Sequence, residues 1–383
     1  MVTIGVLKEA APLEKRVALV PSCIKRLTSK GKKVAVQAGA GVSAHISDAD
    51  FKAAGAEIVA DAGKLLKQVD ALVSVNQPSE DVLKGLKPGS TLVGMMGDLS
   101  SGVQATLDQK KATVFALEKM PRISRAQVMD VLSSQATVAG YAAMMLAAYR
   151  SSVMCPLLMT SAGTVRAANV LVLGAGVAGL QVIATAKRLG AAVSATDIRP
   201  EAAEQVQSLG ATFISLSVVD TAQDSGGYAR QTTQDQQKDH QAQLAARIGK
   251  FDIVVTTALV PGKKAPCLVT KETVEKMRPG AVLVDMAAAQ GGNCALTNPG
   301  KEVVQNGVLI LGPENLTSLY AKDASTFYSN NVLAFLDLLN LESGKAPALE
   351  DEIAQKTCVL DGSSLKEAAQ VANKAQGEDR AAV

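Results

Sequence analysis

The sequence contains no tryptophan, five tyrosines and six phenylalanines, so aromatic residues make up only 3% of its 383 residues. Hydrophobic residues nonetheless reach 48%, and the cores must therefore be built from Ala, Val, Leu and Ile. Such small aliphatic cores are typical of parallel sheets covered by helices. Because the chain is too long for one ordinary core, we predict two domains.

Histidine and cysteine are also scarce. The two histidines, His45 and His240, and the five widely spaced cysteines form no metal-ligand motif and no Cys-x-x-Cys pair. We therefore expect reduced thiols, no bound metal and a cytoplasmic protein. The formal net charge of +3 is small, and the basic residues are scattered, which disfavours nucleic acid as a partner.

Long apolar stretches are nearly absent. The segment from Met1 to Lys8 has the pattern of a strand and shows no export signal. Val131 to Tyr149 is long enough to cross a bilayer, but it contains polar residues such as Ser133 and Gln135. This pattern favours a buried helix between domains over a membrane contact, and we expect no membrane span.

Short Val/Ile/Leu runs alternate with segments of helical period in both halves of the chain. This alternation predicts an α/β fold with two Rossmann-like, doubly wound parallel-sheet domains joined by long helices. The strands predicted for the first sheet are Thr3–Leu7, Lys33–Gln37, Asp70–Val75, Ser90–Met95 and Ala112–Leu117. The strands predicted for the second sheet are Asn169–Leu173, Ala192–Thr196, Thr212–Leu216, Asp252–Thr256, Ala281–Asp285 and Val308–Leu311.

The domain boundaries follow from the segments between these series. We expect a discontinuous first domain of residues 1–125 and about 325–383, a connecting helix at 126–150, and a second domain at 151–324. The connecting helix starts from Ser124 after an irregular entry at Met120-Pro121-Arg122, and a helical pattern from Ala324 to Leu341 returns to the first domain. The tail from 341 to 383 is either a flexible link or a disordered terminus.

A polar, Gln-rich interval interrupts the second series. Residues from about 218 to 233 are too many for a compact connection. They form either a tolerated surface insertion or a mobile loop that closes over a ligand, with hinge freedom from Gly226 and Gly227. The following residues, Gln234 to Ile248, predict a solvated helix.

A dinucleotide-binding motif lies between the first strand of the second series and an amphipathic helix. Gly174 permits the tight turn, Gly176 lets the backbone approach a pyrophosphate, and Gly179 lets helix and strand pack closely. The anion is expected at the free N–H groups of the helix start, around Val177 and Ala178.

The next strand ends at Asp197, eighteen residues after Gly179. A carboxylate there would bind both adenosine ribose hydroxyls and repel a 2′-phosphate, which favours NAD(H) over NADP(H), although the neighbouring Arg199 leaves NADP(H) open. Further cofactor contacts are predicted at Ile198 and in the loop after a later strand. The loop residues, for which a plain turn is the alternative, are Thr257, Ala258 and Leu259.

The string from Glu118 to Gln135, followed by Gly140-Tyr141, closely resembles the signature of the NAD(H)-binding component of proton-translocating nicotinamide nucleotide transhydrogenases. The resemblance runs nearly end to end. Further matching strings are Lys8-Glu9, Arg16–Ala18, Gly39–Gly41, Ala184–Gly190, Gly226–Ala229, Thr256–Leu259 and Gly291–Cys294.

This resemblance implies site residues beside the nicotinamide ring. They are Arg122, Gln127 and Asp130, with Ser133 and Tyr141 at further family positions, and Tyr228 on the mobile loop. By residue type alone, helix capping and surface pairing would explain the first three equally well. Because hydride passes directly between two nicotinamide rings in these enzymes, the protein needs to orient the rings and exclude water rather than supply a proton donor.

The resemblance also implies partners. NAD(H) would bind this chain, NADP(H) would bind a partner subunit, and a membrane-spanning subunit would move protons. The chain would be a homodimer, held at an energy-transducing membrane through those subunits, and active only with them.

Alanine dehydrogenases share the two-domain plan and are the enzymatic alternative. They resemble one another in a Lys and a His at positions where this chain has Ser74 and Met96, and a thioether cannot shuttle protons. Lys8 and Arg16 match their carboxylate-binding positions, but we predict a structural ion pair here. A non-catalytic NAD-binding regulatory module is the third interpretation.

Overall fold

The computed structural model describes residues 1–216, 234–259, 264–345 and 347–362. These residues fold as two compact units. Unit 1 contains residues 1–135 and the described residues from 320 onward, and unit 2 contains the described residues of 136–319. The finer division predicted from the sequence, with a separate connecting helix at 126–150, stays a prediction.

The described strands are β1 (Thr3–Val6), β2 (Lys33–Gln37), β3 (Glu57–Val59), β4 (Ala71–Asn76), β5 (Thr91–Met95), β6 (Thr113–Ala116), β7 (Leu158–Thr160), β8 (Gly163–Val165), β9 (Asn169–Leu173), β10 (Ala192–Thr196), β11 (Thr212–Phe213), β12 (Ile253–Thr256), β13 (Val282–Asp285), β14 (Glu302–Gln305), β15 (Val308–Leu311) and β16 (Cys358–Leu360). The described α-helices are α1 (Pro21–Ser29), α2 (Asp48–Ala53), α3 (Ala62–Gln68), α4 (Glu80–Leu83), α5 (Ser101–Gln109), α6 (Val131–Arg150), α7 (Val177–Arg188), α8 (Ala202–Ser208), α9 (Gln234–Ala245), α10 (Lys271–Glu275), α11 (Ala321–Leu339) and α12 (Glu352–Thr357).

Each unit is built on a mainly parallel sheet. In unit 1 the strand order is β16-β6-β5-β4-β1-β2-β3, and only β16 runs antiparallel to its neighbour. In unit 2 the order is β11-β10-β9-β12-β13-β15-β14, with β14 antiparallel to β15. The solved relatives share this architecture, and the predicted fold class is confirmed.

The strands of unit 1 are buried on both faces. Val73 and Phe115 belong to the hydrophobic cluster that includes α11, whereas their chain neighbours Leu72 and Val114 belong to the cluster on the other face. Because side chains alternate along a strand, a continuous apolar run is what a sheet covered on both sides requires. The scarcity of aromatic residues fits these thin aliphatic layers.

Both sheets have a topological switch point, where the chain leaves one strand in opposite directions. In unit 2 it lies between β9 and β12, and in unit 1 between β1 and β4. Ligands of open α/β sheets bind outside the carboxyl ends of the strands at such points. The switch point of unit 2 therefore places the loops after β9 and β12 side by side.

The connecting segment differs from the prediction of one helix from Ser124. Ser124–Met129 forms a 3-10 helix, Asp130 has extended backbone, and α6 begins at Val131. The break is stabilised by the Asp130 carboxylate, which accepts a hydrogen bond from the Ser133 N–H at 3.0 Å. Asp130 therefore caps α6 in the manner of an N-cap residue.

Several short strands were not predicted. The hairpin β7–β8 and the strands β3, β14 and β16 were missed, and β11 ends at Phe213 rather than at Leu216. The expectation of a flexible or disordered tail from 341 was wrong for its first part. Residues of α12 and β16 fold onto β6 and extend the sheet of unit 1, because β6 offers an edge for pairing.

Within the described ranges, α6 has the length and composition to cross a membrane. This is weak evidence, because core helices of soluble proteins share these properties.

Candidate functional site

The loop after β9 has the geometry that its three glycines predict. Gly174 has φ of +102°, a conformation that L side chains rarely adopt. A Cβ on Gly179 would lie 1.9 Å from the Gly174 carbonyl oxygen, so only glycine lets the first turn of α7 pack against this loop. A Cβ on Gly176, in contrast, would meet no atom within 4 Å. The backbone at Gly176 therefore borders open space.

The amino end of α7 faces this open space without a capping side chain. Its N-cap is Gly176, and no side chain accepts a hydrogen bond from the first turn. Val177 is 44% exposed, and Ala178 is half-buried. Free N–H groups and the positive end of the helix dipole make such a helix start a site for a phosphate group.

The first turn of α7 is fixed from behind by α6. A Cβ on Gly140 would lie 2.3 Å from the carbonyl oxygen of Ala178, so a side chain at Gly140 would displace the turn. The match of Gly140 to the transhydrogenase signature therefore has a packing explanation. Its neighbour Tyr141 is 38% exposed.

Asp197 lies at the end of β10 with its side chain 7% exposed. The carboxylate accepts hydrogen bonds from the N–H of Ala175 in the glycine loop, at 2.7 Å, and from the N–H of Arg199, at 2.9 Å. The Arg199 guanidinium donates two more, from Nε and Nη2, each at 3.0 Å. Hydrogen bonding to this carboxylate raises the pKa of Arg199. Ile198, between them, is half-buried.

The loop after β12 supports the glycine loop directly. The Thr257 hydroxyl donates a hydrogen bond to the Gly174 carbonyl at 2.9 Å, and its backbone N–H donates to Leu173 O at 2.9 Å. Thr257 therefore braces the turn with its side chain, a role that the sequence did not indicate. Leu259 is 40% exposed.

Asn293 holds the same loop, and the sequence pattern did not identify it as a site residue. Its side chain accepts a hydrogen bond from Ala258 N at 3.1 Å and donates one to Ala258 O at 2.9 Å. Asn293 is fully buried, and its own N–H donates to the buried carboxylate of Asp285 at 2.7 Å. The string Gly291–Cys294 was the available signal, and it stood out in the sequence only as part of a resemblance.

The loop that resembles the transhydrogenase signature belongs to unit 1 up to Gln135. Ala126 and Met129 are buried in the core cluster of that unit, and the Val128 carbonyl accepts a hydrogen bond from the Asn331 side chain at 2.8 Å. Between these anchors, Gln127 is exposed. A rigid backbone thus presents an amide side chain to solvent.

The remaining predicted residues of this loop have different environments. Arg122 is exposed and Asp130 is half-buried. Ser133 donates a hydrogen bond from its hydroxyl to Asp130 at 2.5 Å, so these two residues form one capping unit at the start of α6. Tyr228, predicted on the mobile loop, lies outside the described residues.

A buried polar cluster occupies the switch point of unit 1. The Arg16 guanidinium donates from Nε and Nη2 to the Glu14 carboxylate, at 2.7 and 2.6 Å, and from Nη1 to Gln135 at 2.8 Å. Burial raises the pKa of Glu14, but the hydrogen bonds and charge of Arg16 outweigh it and hold that pKa at about 2. Arg16 thus forms the structural ion pair that the sequence predicted.

Ser74 and Met96, at the positions of the dehydrogenase Lys and His, are both buried. The Ser74 hydroxyl has no hydrogen-bond partner among the described residues, and Met96 packs in the hydrophobic cluster with Leu72 and Leu92. In the described part of the chain, no group of three His, Cys, Asp or Glu side chains could hold a metal ion.

The chain matches two family models that together span most of its length. Residues 5–139 match the model "Alanine dehydrogenase/PNT, N-terminal domain", and residues 143–367 match "Alanine dehydrogenase/PNT, C-terminal domain". The chain is 45% identical over 371 residues to the first of the polypeptides that make up the NAD(P) transhydrogenase alpha subunit of Rhodospirillum rubrum, covering 94% of this chain and 97% of that protein.

Two further relatives frame the assignment. A crystal structure of transhydrogenase from Sinorhizobium meliloti superposes with a TM-score of 0.81 at 40% identity, covering 94% of this chain and 97% of that one. The alanine dehydrogenase of Mycolicibacterium smegmatis is 34% identical over 294 residues, covering 76% of this chain and 73% of that protein. The resemblance seen in the sequence is confirmed: the chain belongs to the alanine dehydrogenase/PNT family, on its NAD(P) transhydrogenase alpha-subunit side.

Proposed function

We propose that this chain binds NAD(H) at the Gly174 loop of unit 2 and exchanges hydride with NADP(H) bound on a partner subunit. The single observation that supports nucleotide binding best is the start of α7, whose free N–H groups border open space beside Gly176. A pyrophosphate would fit there, because neither a cap nor a Cβ fills the position.

Selection of NAD(H) follows from Asp197. Its carboxylate lies one hydrogen bond from the glycine loop, at Ala175 N. An adenosine ribose on that loop would therefore meet a negative charge, which accepts hydrogen bonds from hydroxyls and repels a 2′-phosphate. Thr257 and Asn293 keep the two loops in register for this contact.

The nicotinamide of the bound nucleotide supplies the hydride chemistry, and the protein supplies orientation. We assign this role to Gln127, whose amide can donate and accept hydrogen bonds and which projects from a loop anchored on both sides. Arg122 is available for an anionic group of the nucleotide. Asp130 and Ser133 fix where the loop ends, and Tyr141 and Tyr228 are further contacts proposed by family resemblance.

Alanine oxidation is the second candidate, and the switch point of unit 1 disfavours it. The guanidinium that would bind a substrate carboxylate there already binds Glu14, and the ion pair is buried, with side chains 6% and 2% exposed for Arg16 and Glu14. Ser74 and Met96 provide neither a cation nor a proton shuttle. A non-catalytic NAD sensor is the third candidate; it would need the Gly174 loop and Asp197, but not Gln127.

We further propose that two copies of the chain associate through the β7–β8 hairpin. Its two strands are exposed along their whole length. Leu157, Leu158, Met159 and Val165 are between 40% and 75% exposed, and contiguous apolar surface of this kind marks protein interfaces. A membrane-spanning partner would couple hydride transfer to proton movement and would hold the complex at the membrane.

The test combines the purified chain with an NADP(H)-binding transhydrogenase subunit and follows hydride transfer between the two nucleotides. Gln127→Leu is expected to lower the transfer rate by about 10²-fold, because misplacing a reacting group can cost that much, while NADH still binds. Val128→Ala, an exposed neighbour, is the matched control. Alanine-dependent reduction of NAD⁺ by the chain alone would contradict the proposal, as would an unchanged rate in Gln127→Leu.

A further inference from the structure

Arg199 occupies the acceptor positions that a ribose would need. A carboxylate offers about four lone-pair sites for hydrogen bonds. In Asp197 all four are used, since Oδ1 accepts from the backbone N–H and Nε of Arg199, and Oδ2 accepts from Ala175 N and Arg199 Nη2. The two hydroxyls of an adenosine ribose would donate two more hydrogen bonds to the same carboxylate. Two existing donors must therefore leave.

The donors that can leave are those of the guanidinium. Ala175 N belongs to the glycine loop, whose backbone is fixed by the packing of Gly179 and by Thr257. The backbone N–H of Arg199 is two residues from Asp197, in the local pattern that Asp side chains form with their own turn. The Arg199 side chain, in contrast, is 23% exposed and has several rotatable bonds.

Resting on the proposed NAD(H) site, we infer that Arg199 is a specificity-determining residue that competes with the adenosine ribose for Asp197. Binding of NAD(H) replaces the contacts from Nε and Nη2 with contacts from the ribose hydroxyls. The displaced guanidinium stays within reach of the ribose. Asp197 thus has two effects on selectivity, because it attracts the ribose diol and also withholds a cation that would otherwise accept a 2′-phosphate.

Two substitutions separate these effects. Arg199→Ala removes the competitor, and NADH is expected to bind about fivefold more tightly, the size of a partly exposed ion pair. Asp197→Asn removes the charge that holds the guanidinium, so NADPH is expected to bind at least about tenfold more tightly than to the unaltered chain. The double variant, with Asp197→Asn and Arg199→Ala, is expected to lose that gain.

Isothermal titration of each variant with NADH and with NADPH measures these affinities, and circular dichroism checks the fold. Arg188→Ala is the matched control, because Arg188 is an exposed cation at the other end of α7. If Arg199→Ala weakens or does not change NADH binding, or if the double variant binds NADPH as well as Asp197→Asn does, the inference is overturned. If the unaltered chain fails to bind NADH at all, the proposed function fails instead.

Discussion

The Glu14–Arg16 ion pair gives a prediction at the scale of single residues. The pKa of Glu14 in the folded protein, about 2, lies below its ordinary value of 4.5. The ionised carboxylate therefore stabilises the fold fully above pH 4.5, and this stabilisation is lost as the pH falls toward 2. Glu14→Gln also leaves Arg16 buried without its anion. We expect a loss of about 3 kcal/mol in the free energy of unfolding at pH 7.

Chemical denaturation between pH 7 and pH 2 measures this effect. The difference between the unaltered chain and Glu14→Gln should shrink below pH 4.5. Glu9 is the matched control, because burial raises its pKa while hydrogen bonds from Val75 and Asn76 lower it, and the balance is upward. Glu9→Gln is accordingly expected to show the opposite sign. A Glu14→Gln difference that persists unchanged at pH 2 would contradict the argument.

The glycines of the cofactor loop give a second prediction, in which two equal changes have different consequences. In Gly179→Ala the new methyl group collides with the Gly174 carbonyl, so the loop must shift; we expect a loss of about 1–3 kcal/mol in the free energy of unfolding. In Gly176→Ala the methyl group enters open space. We expect unchanged stability and NADH binding at least about tenfold weaker, because the backbone can no longer approach the pyrophosphate.

Thermal denaturation and NADH titration of the two variants distinguish packing from ligand contact. Equal losses of stability in both would show that the space beside Gly176 is not open. Unchanged NADH affinity in Gly176→Ala would show that the pyrophosphate binds elsewhere.

At the scale of elements, the β7–β8 hairpin predicts the oligomeric state. Met159 is 75% exposed on its first strand. Met159→Lys places a charge on the apolar surface, so the dimer is expected to dissociate to monomers in sedimentation at micromolar concentration. Val304→Lys is the control, since Val304 is 68% exposed on β14. A monomeric unaltered chain, or a dimer that persists in Met159→Lys, would contradict the interface.

The element scale also shows where pattern reasoning ends. The period of 131–150 predicted a helix correctly in kind, but Asp130 interrupts the segment before it, because an Asp side chain can cap the helix that follows. The edge strands β14 and β16 run antiparallel and are only four and three residues long. Runs this short contain too few alternations to be recognised before the neighbouring strand is known.

At the scale of the whole molecule, the two units repeat one architectural idea with different contents. Both are parallel sheets with a switch point. In unit 2 the loops at that point leave space at the amino end of α7, whereas in unit 1 the equivalent place is filled by Glu14, Arg16 and Gln135. The same layout thus provides one candidate nucleotide site and one internally neutralised cluster.

The sequence by itself determined the fold class, the glycine loop and the identity of the family. These depend on local rules: apolar runs of strand length, a residue with positive φ at Gly174, and close packing at Gly179, all readable within a few neighbouring positions.

Only the tertiary structure revealed how the site is held. Gln135 lies 119 residues from Arg16, and Asn293 lies 35 residues from Ala258, yet each pair is hydrogen-bonded. Asp197 could be named as the ribose acid from its spacing, but its occupation by Arg199 depends on side-chain directions. Such contacts arise because parallel strands bring distant loops to one edge of a sheet, and no local pattern specifies which donor meets which acceptor there.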